Sequence, residues 1–170
     1  MRSDEPADAV DRIVGEWATV RPDLDVSPMA VVGRISRLAR LIDQRLARNF
    51  AAEGIENWIY DVLATLRRIG PPHELSPTEL VAHTMVTTGA MTNRIDRLIE
   101  RGLVERDHDP DDRRRVIVRL TADGLALVDR VAPSHYELEH ELLGPLDATE
   151  REALTTTLRT LLLHLGDDAT

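Results

Sequence analysis

Two groups of hydrogen-bonding and cationic side chains stand out between residues 87 and 115. The first group is Thr87, Thr88, Thr92, Asn93 and Arg97, and the second is the run Arg113, Arg114 and Arg115. Hydroxyl, amide and guanidinium groups bond to the base edges and phosphate oxygens of double-stranded DNA. We therefore predict that the first group enters a major groove. The second would reach the backbone or the minor groove.

The first group lies on the polar side of a predicted helix. The opposite side carries Met91, Ile95, Leu98 and Ile99 at three- and four-residue spacing. Thr87 or Thr88 can cap this helix, and Gly102 stops it. A shorter helix is predicted before it, from the cap Ser76 to about residue 84, with Glu79 completing a capping box.

The second group lies at the tip of a predicted hairpin. Residues 104–106 and 115–120 alternate between apolar and polar side chains, and residues 107–112 have turn composition. Helix, turn, helix and hairpin form the plan of a winged helix-turn-helix. The predicted fold is therefore mainly α with a small β-hairpin wing.

Further amphipathic helices are predicted on both sides of this segment. They run over residues 8–20, 28 to about 52, 56–69, from 121 towards 143, and from 147 onwards. Ser27 and Pro28 favour a helix start, and Asp147 with Glu150 resembles a capping box. Pro133 should kink or divide the helix that contains it.

The apolar faces of the flanking helices exceed what a lone winged helix of about 60–70 residues can cover. We predict a single domain over residues 1–170, with the winged helix-turn-helix at 56–120 and dimerisation helices at 1–55 and 121–170. A two-fold homodimer would place two reading heads ~34 Å apart on a palindromic operator. The alternative is a monomer with an accessory helical layer.

The net charge of −9 is concentrated outside the predicted DNA-binding segment. Residues 87–120 contain eight Arg and seven acidic residues, whereas residues 121–170 contain three Arg and ten acidic residues. Phosphates respond to charge within a Debye length of ~8 Å, so this distribution is compatible with DNA. The absence of Cys excludes disulfides and thiolate sites. Without a signal peptide or long apolar run, a cytoplasmic location and no membrane partner are expected.

Catalytic constellations do not stand out in the sequence. It contains no nucleophile-plus-base motif, Gly-rich phosphate loop or paired catalytic carboxylates, so we predict no enzyme activity and no cofactor. His135, Glu139 and His140 could hold zinc, although their spacing is not a compact pair of His residues one turn apart. We therefore assign no metal ligands and keep a metal response as an alternative.

The segment from Leu75 to Gly124 resembles the MarR family of bacterial transcriptional regulators. The family's wing motif, Asp-x-Asp-Asp-Arg-Arg followed by a strand ending in Leu-Thr-x-x-Gly, matches Asp109 to Gly124. The order of the flanking helices extends the resemblance over nearly the whole chain. The resemblance implies a homodimeric DNA-binding regulator, usually a repressor, that a small anionic or aromatic ligand releases.

A narrower resemblance is to the urate-responsive, PecS-like branch of this family. It implies a ligand site at Trp17, Asp61, Arg94 and Arg106. The residue chemistry suits a purine-like anion: the two Arg bind flat oxyanions, Trp17 can stack on a ring, and Asp61 can accept a ring N–H or pair with an Arg.

Other readings stay open for these four residues. Arg94 can contact phosphate, Arg106 can be a generic wing residue, Asp61 can be a structural ion-pair partner, and Trp17 can be core. The functional alternatives are a regulator responding to another aromatic acid or to metal, and a protein-interaction module that does not bind DNA.

Overall fold

The computed structural model describes residues 6–84, 86–109, 112 and 114–167. The helices are α1 (Ala9–Val20), α2 (Met29–Ala52), α3 (Asn57–Arg68), α4 (Pro77–Thr84), α5 (Thr88–Glu100), α6 (Ala122–Leu142) and α7 (Ala148–His164). The strands are β1 (Glu74–Leu75), β2 (Val104–His108) and β3 (Val116–Leu120). The predicted fold class, mainly α with a small wing, is confirmed. The chain divides into two compact units, Met1–Leu46 and Ala47–Thr170.

The N-terminal unit is held together by the start of α1. Asp8 caps α1 in a reciprocal capping box with Asp11. Both carboxylates also bind the guanidinium group of Arg34 on α2, at 2.8 and 2.6 Å. Beside this pair, Val10 is buried, and a Cβ added at Gly33 would lie 3.2 Å from its Cγ1. Gly33 therefore lets α1 pack closely on this part of α2.

The core of the second unit lies between α3, α4, α5, β3 and α6. Its largest fully buried side chains are Ile59, Leu63, Leu66, Leu80, Met91, Ile95, Leu98, Val62, Val118 and Val131. On α3 and α5 these residues recur at three- and four-residue spacing, as amphipathic helices require. Burial of that stripe fixes the rotation of α5 about its axis and leaves its polar face outside.

The sheet is antiparallel with the order β1-β3-β2. The hairpin of β2 and β3 pairs Val104 with Leu120 and Arg106 with Val118, and it confirms the predicted wing. The two-residue strand β1 pairs Glu74 with Arg119 on the other edge of β3. This third strand was not predicted. It contains too few residues to show alternation, and it depends on pairing with a strand more than forty residues later.

Local capping explains why most helix boundaries match the prediction. Ser76 and Glu79 form their box before α4, with Ser76 N–H donating to Glu79 at 2.7 Å. The Thr121 hydroxyl caps α6 at Gly124 N–H, 3.0 Å away. Pro133 does not divide α6, which runs through it without interruption.

In the part of the chain that the structure describes, no helix combines the length and apolar character needed to cross a membrane.

Candidate functional site

Helix α5 presents the first group of predicted DNA-binding residues on one exposed face. The Thr87 side chain caps α5 by accepting from Ala90 N–H at 3.4 Å. Thr88 is the first helical residue, and its carbonyl accepts from the Thr92 hydroxyl at 3.1 Å. Asn93 is exposed on the same helix. The cap and the buried stripe thus hold short polar side chains outward, as entry into a groove requires.

Arg97 belongs to this predicted group, but it contacts the start of α3. Its Nη2 donates to Glu56 Oε1 at 2.8 Å, and its guanidinium carbon lies 4.7 Å from the centre of the Trp58 ring. The Trp58 indole N–H donates to the other Glu56 oxygen at 2.7 Å. We call Glu56, Trp58 and Arg97 the clasp. Sequence analysis missed Glu56 and Trp58 because 41 residues separate Glu56 from Arg97.

The wing arginines differ in their surroundings. Arg115 is held by Glu79 on α4 at 2.9 Å, and a second carboxylate, that of Asp109, lies 3.7 Å away. The Arg114 backbone N–H donates to Asp112, while the residue itself is exposed. Arg113 lies outside the described residues. Of the two described arginines at the tip of the wing, Arg114 has the side chain that is more available to contact a DNA phosphate.

Two of the four predicted ligand residues lie side by side. Arg94 Nη1 on α5 is 3.6 Å from Asp61 Oδ2 on α3, and the Arg94 side chain is only 25% exposed. Nη1 is buried, and no described residue accepts a hydrogen bond from it. Burial raises the pKa of the Asp61 carboxyl above its ordinary value, against the opposing charges of Arg94 and Arg68. The pair is therefore close, partly desolvated and short of hydrogen bonds.

The other two predicted ligand residues have different neighbours. Arg106 on β2 donates to Asp96 Oδ1 on α5 at 2.8 Å. Trp17 belongs to the N-terminal unit, where it lies on α1 and is 42% exposed. The structure thus brings Asp61 and Arg94 together and attaches Arg106 to the same helix as Arg94.

A profile of the MarR family matches residues 54–115 of the chain. Over 156 residues, the chain is 40% identical to the HTH-type transcriptional regulator PecS of Dickeya dadantii (strain 3937), a match that covers 92% of this chain and 94% of PecS. The chain belongs to the MarR family. It is a DNA-binding, winged helix-turn-helix transcription regulator of that family. Helix α5 is the second helix of this motif, and we call it the recognition helix after its position.

Solved structures of MarR proteins have the same fold. A MarR variant from E. coli complexed with operator DNA is 30% identical with a TM-score of 0.72, covering 82% of this chain and 99% of that one. BpsR of Bordetella bronchiseptica, whose DNA binding is regulated by 6-hydroxynicotinic acid, is 29% identical with a TM-score of 0.69. That match covers 77% of this chain and 91% of BpsR.

Three arginines fasten the recognition helix to the segment around the start of α3. Arg94 and Arg97 on α5 and Arg101 at its C-cap follow each other at spacings of three and four residues, so they lie on one side of the helix. They reach the Asp61 carboxylate, the Glu56 carboxylate and the Gly54 carbonyl, respectively. This MarR protein therefore holds α5 against the segment around the start of α3 through polar contacts.

His135, one of the residues considered for zinc, packs against aromatic rings. His135 stacks on Phe50 with ring centres 5.5 Å apart and lies 4.6 Å from Tyr60. Burial raises the pKa of the Tyr60 hydroxyl to about 12. Among the described residues, no group of three or more His, Asp and Glu side chains is arranged to hold a metal ion.

An open cleft of about 320 Å³ lies between α3 and α6. Tyr60, Arg67, Asp129 and Tyr136 are among its lining residues. Arg67 Nε lies 2.7 Å from Asp129 Oδ1, and this ion pair balances the two charges. None of the four predicted ligand residues lines this cleft.

Proposed function

We propose that this chain is a ligand-released repressor that binds a palindromic operator as a homodimer. The effector would be a small planar anion, urate or a related purine. The observation that carries this proposal is the contact of Arg94, on the recognition helix, with Asp61 on α3 at 3.6 Å. A sensor needs a ligand-binding group whose position affects DNA binding, and Arg94 is such a group because it is part of α5.

The chemistry of the pair suits a ring that bears both an oxyanion and an N–H. The guanidinium group of Arg94 can bind a flat oxyanion through two parallel hydrogen bonds. The Asp61 carboxylate can accept the ring N–H. A ligand of this type would give the buried Nη1 of Arg94 the hydrogen bond that the described residues do not provide.

Arg106 would couple the wing to the same event. Its present partner, Asp96, lies on α5 two residues after Arg94. A ligand that recruits Arg106 must compete with Asp96, so occupation of the site changes contacts of the recognition helix on two sides. Release of DNA also requires that the ligand bind the DNA-free conformation more tightly than the DNA-bound one.

Exposed apolar side chains support the homodimer. On α2 they include Val31, Ile35, Leu38 and Ile42, and on α7 they include Leu154, Leu158, Leu161 and Leu162. Rows of large aliphatic side chains on a helix normally mark a protein-protein contact. A second copy would cover them, with residues 1–55 and 121–170 as the dimerisation helices of a single domain whose winged helix-turn-helix spans 56–120.

A gel-shift titration of the wild-type protein tests the effector. The probe is a duplex from the region upstream of the chain's own gene, titrated with urate, xanthine and 6-hydroxynicotinic acid in parallel. We expect urate to weaken DNA binding roughly 5- to 150-fold, as a coupling of about 1–3 kcal/mol produces. If only 6-hydroxynicotinic acid released the DNA, the effector would be an aromatic acid and not a purine. If none of the three compounds weakened DNA binding, the proposed ligand response would be wrong, whereas the proposed DNA binding would stand.

Replacing the exposed wing arginine tests its proposed DNA contact. We expect Arg114→Ala to weaken operator binding and to reduce the slope of log K against log salt by about 1, because one phosphate contact is lost. The readout is anisotropy of a labelled duplex at several salt concentrations. Arg12→Ala is the matched control, since Arg12 is an exposed arginine on α1 that pairs with Glu16. Equal slopes for Arg114→Ala and Arg12→Ala would exclude a phosphate contact by Arg114.

A further inference from the structure

The clasp joins a predicted DNA-binding residue to two residues that have no assigned role. Arg97 lies four residues after Asn93, so the two share the polar side of α5 for which the sequence predicts entry into a major groove. Yet the guanidinium group of Arg97 is engaged by Glu56 at 2.8 Å and lies against the Trp58 ring at 4.7 Å. In this conformation its hydrogen-bonding capacity is partly used inside the protein.

We propose that Glu56 and Trp58 are positioning residues that withhold Arg97 from DNA, so that operator binding must open the clasp. This inference rests on the proposed role of Arg97 as a DNA contact. The indole N–H of Trp58 donates to Glu56 Oε2, while Arg97 uses Oε1 of the same carboxylate. One carboxylate therefore fixes both the ring and the cation that lies over it.

Exposure to water makes the clasp a weak and reversible contact. The side chains of Glu56 and Arg97 are each 56% exposed, so water and salt weaken their attraction. The hydrogen bond from Trp58 lowers the pKa of the Glu56 carboxyl most, and the hydrogen bond from Arg97 lowers it further. Glu56 is therefore ionised at neutral pH. An exposed ion pair with a cation–π contact favours the closed form only modestly, and a DNA phosphate or base can displace it.

The clasp also touches the ligand pair. The guanidinium carbon of Arg94 lies 5.8 Å from the centre of the same Trp58 ring, and Trp58 precedes Asp61 by three residues on α3. Trp58 is therefore shared by the arginine assigned to the effector and the arginine assigned to DNA. A ligand that moves Arg94 changes the environment of the residue that holds Arg97.

A double-mutant cycle between Glu56 and Arg97 tests the clasp. The DNA is a duplex that the wild-type protein selects from a randomised pool, and affinity is measured by anisotropy. Glu56→Gln should tighten binding roughly two- to fivefold, because a competing closed form is removed. In an Arg97→Ala background the same substitution should have no effect, since no cation remains to be held. Trp58→Phe, which keeps a ring but loses the indole N–H, should give a smaller gain.

Glu53→Gln is the charge control, because Glu53 pairs with Arg130 and its substitution changes net charge by the same amount. An equal gain from Glu53→Gln and Glu56→Gln would overturn the clasp. So would a gain from Glu56→Gln that persists without Arg97. If Arg97→Ala alone leaves DNA affinity unchanged, the DNA contact of Arg97 fails and the clasp fails with it. The urate titration uses the wild-type protein and reports on the effector, so failure of the clasp and failure of the proposed sensor can be told apart.

Discussion

Asp61→Asn is expected to raise the urate concentration needed to release the operator by on the order of 10- to 100-fold, while operator affinity stays within about threefold. The amide keeps the size of the carboxylate but loses its charge. The proposed ring N–H bond to Asp61 then changes from a charge-assisted bond, worth about 1.5–3 kcal/mol, to a neutral one. DNA affinity is expected to change little because Asp61 lies on α3 and its 3.6 Å contact with Arg94 is only one of the three that hold α5. Competition gel shifts at fixed protein concentration give both quantities.

Asp129→Asn is a closely matched control. The Asp129 side chain is 49% exposed and binds Arg67, whereas the Asp61 side chain is 48% exposed and lies beside Arg94. Both substitutions remove one negative charge from an aspartate–arginine pair of the second unit. Equal loss of urate response in the two variants would point to a general charge effect and contradict a ligand contact at Asp61.

The pH dependence of stability gives this prediction a second measurement. Burial raises the pKa of Asp61 above 3.8, so the folded protein holds that proton more tightly than the unfolded chain does. This stabilisation is fully present below pH 3.8, and it is lost as the pH rises through the pKa that Asp61 has in the folded protein. The Asn side chain does not titrate in this range. As pH rises from acid to neutral, the unfolding free energy of Asp61→Asn should therefore increase relative to that of the wild-type protein. Urea unfolding at a series of pH values measures this trend, and the opposite trend would mean that Arg94 outweighs burial.

Prediction from sequence succeeded where the determinants of structure are local. The capping residues Thr87, Thr121 and Asp147 act within three residues of themselves, and the buried stripe of α5 repeats along one helix. These patterns are visible without knowing what the helix packs against. Helix ends depend on neighbouring residues, whereas side-chain partners depend on packing, so the sequence predicted more of the helix ends than of the side-chain partners.

Long-range pairing set the limit of that prediction. β1 is a strand only because it pairs with β3, and Arg115 meets Glu79 across 36 residues of sequence. The clasp likewise depends on how α3 and α5 pack. A signal for it was present, since Trp58 is an aromatic residue three positions before Asp61 on the same helix. However, the sequence alone gives no reason to connect either residue with Arg97.

Gly124→Ala is expected to destabilise the protein by about 3 kcal/mol, near the upper end of what an added methylene costs in a packed core. A Cβ at position 124 would lie 2.0 Å from the Leu103 carbonyl oxygen and 3.3 Å from Leu120 Cδ2. The first contact is with backbone, so no side-chain rotation can relieve it. The same carbonyl accepts from Thr121 N–H at 3.2 Å, and α6 must move away from the base of the wing to make room. This close approach gives a physical reason for glycine in the Leu-Thr-x-x-Gly motif.

Gly15→Ala provides the opposite expectation in the same chain. Gly15 lies inside α1, and a Cβ there would meet no atom within 4 Å. Alanine should stabilise the helix by about 0.5–1 kcal/mol, because glycine loses more backbone freedom on folding. Thermal unfolding should therefore place Gly124→Ala roughly 6–12 °C below wild type and Gly15→Ala slightly above it. If both variants shifted in the same direction, the contact between α6 and the Leu103 carbonyl would not be the reason for glycine at position 124.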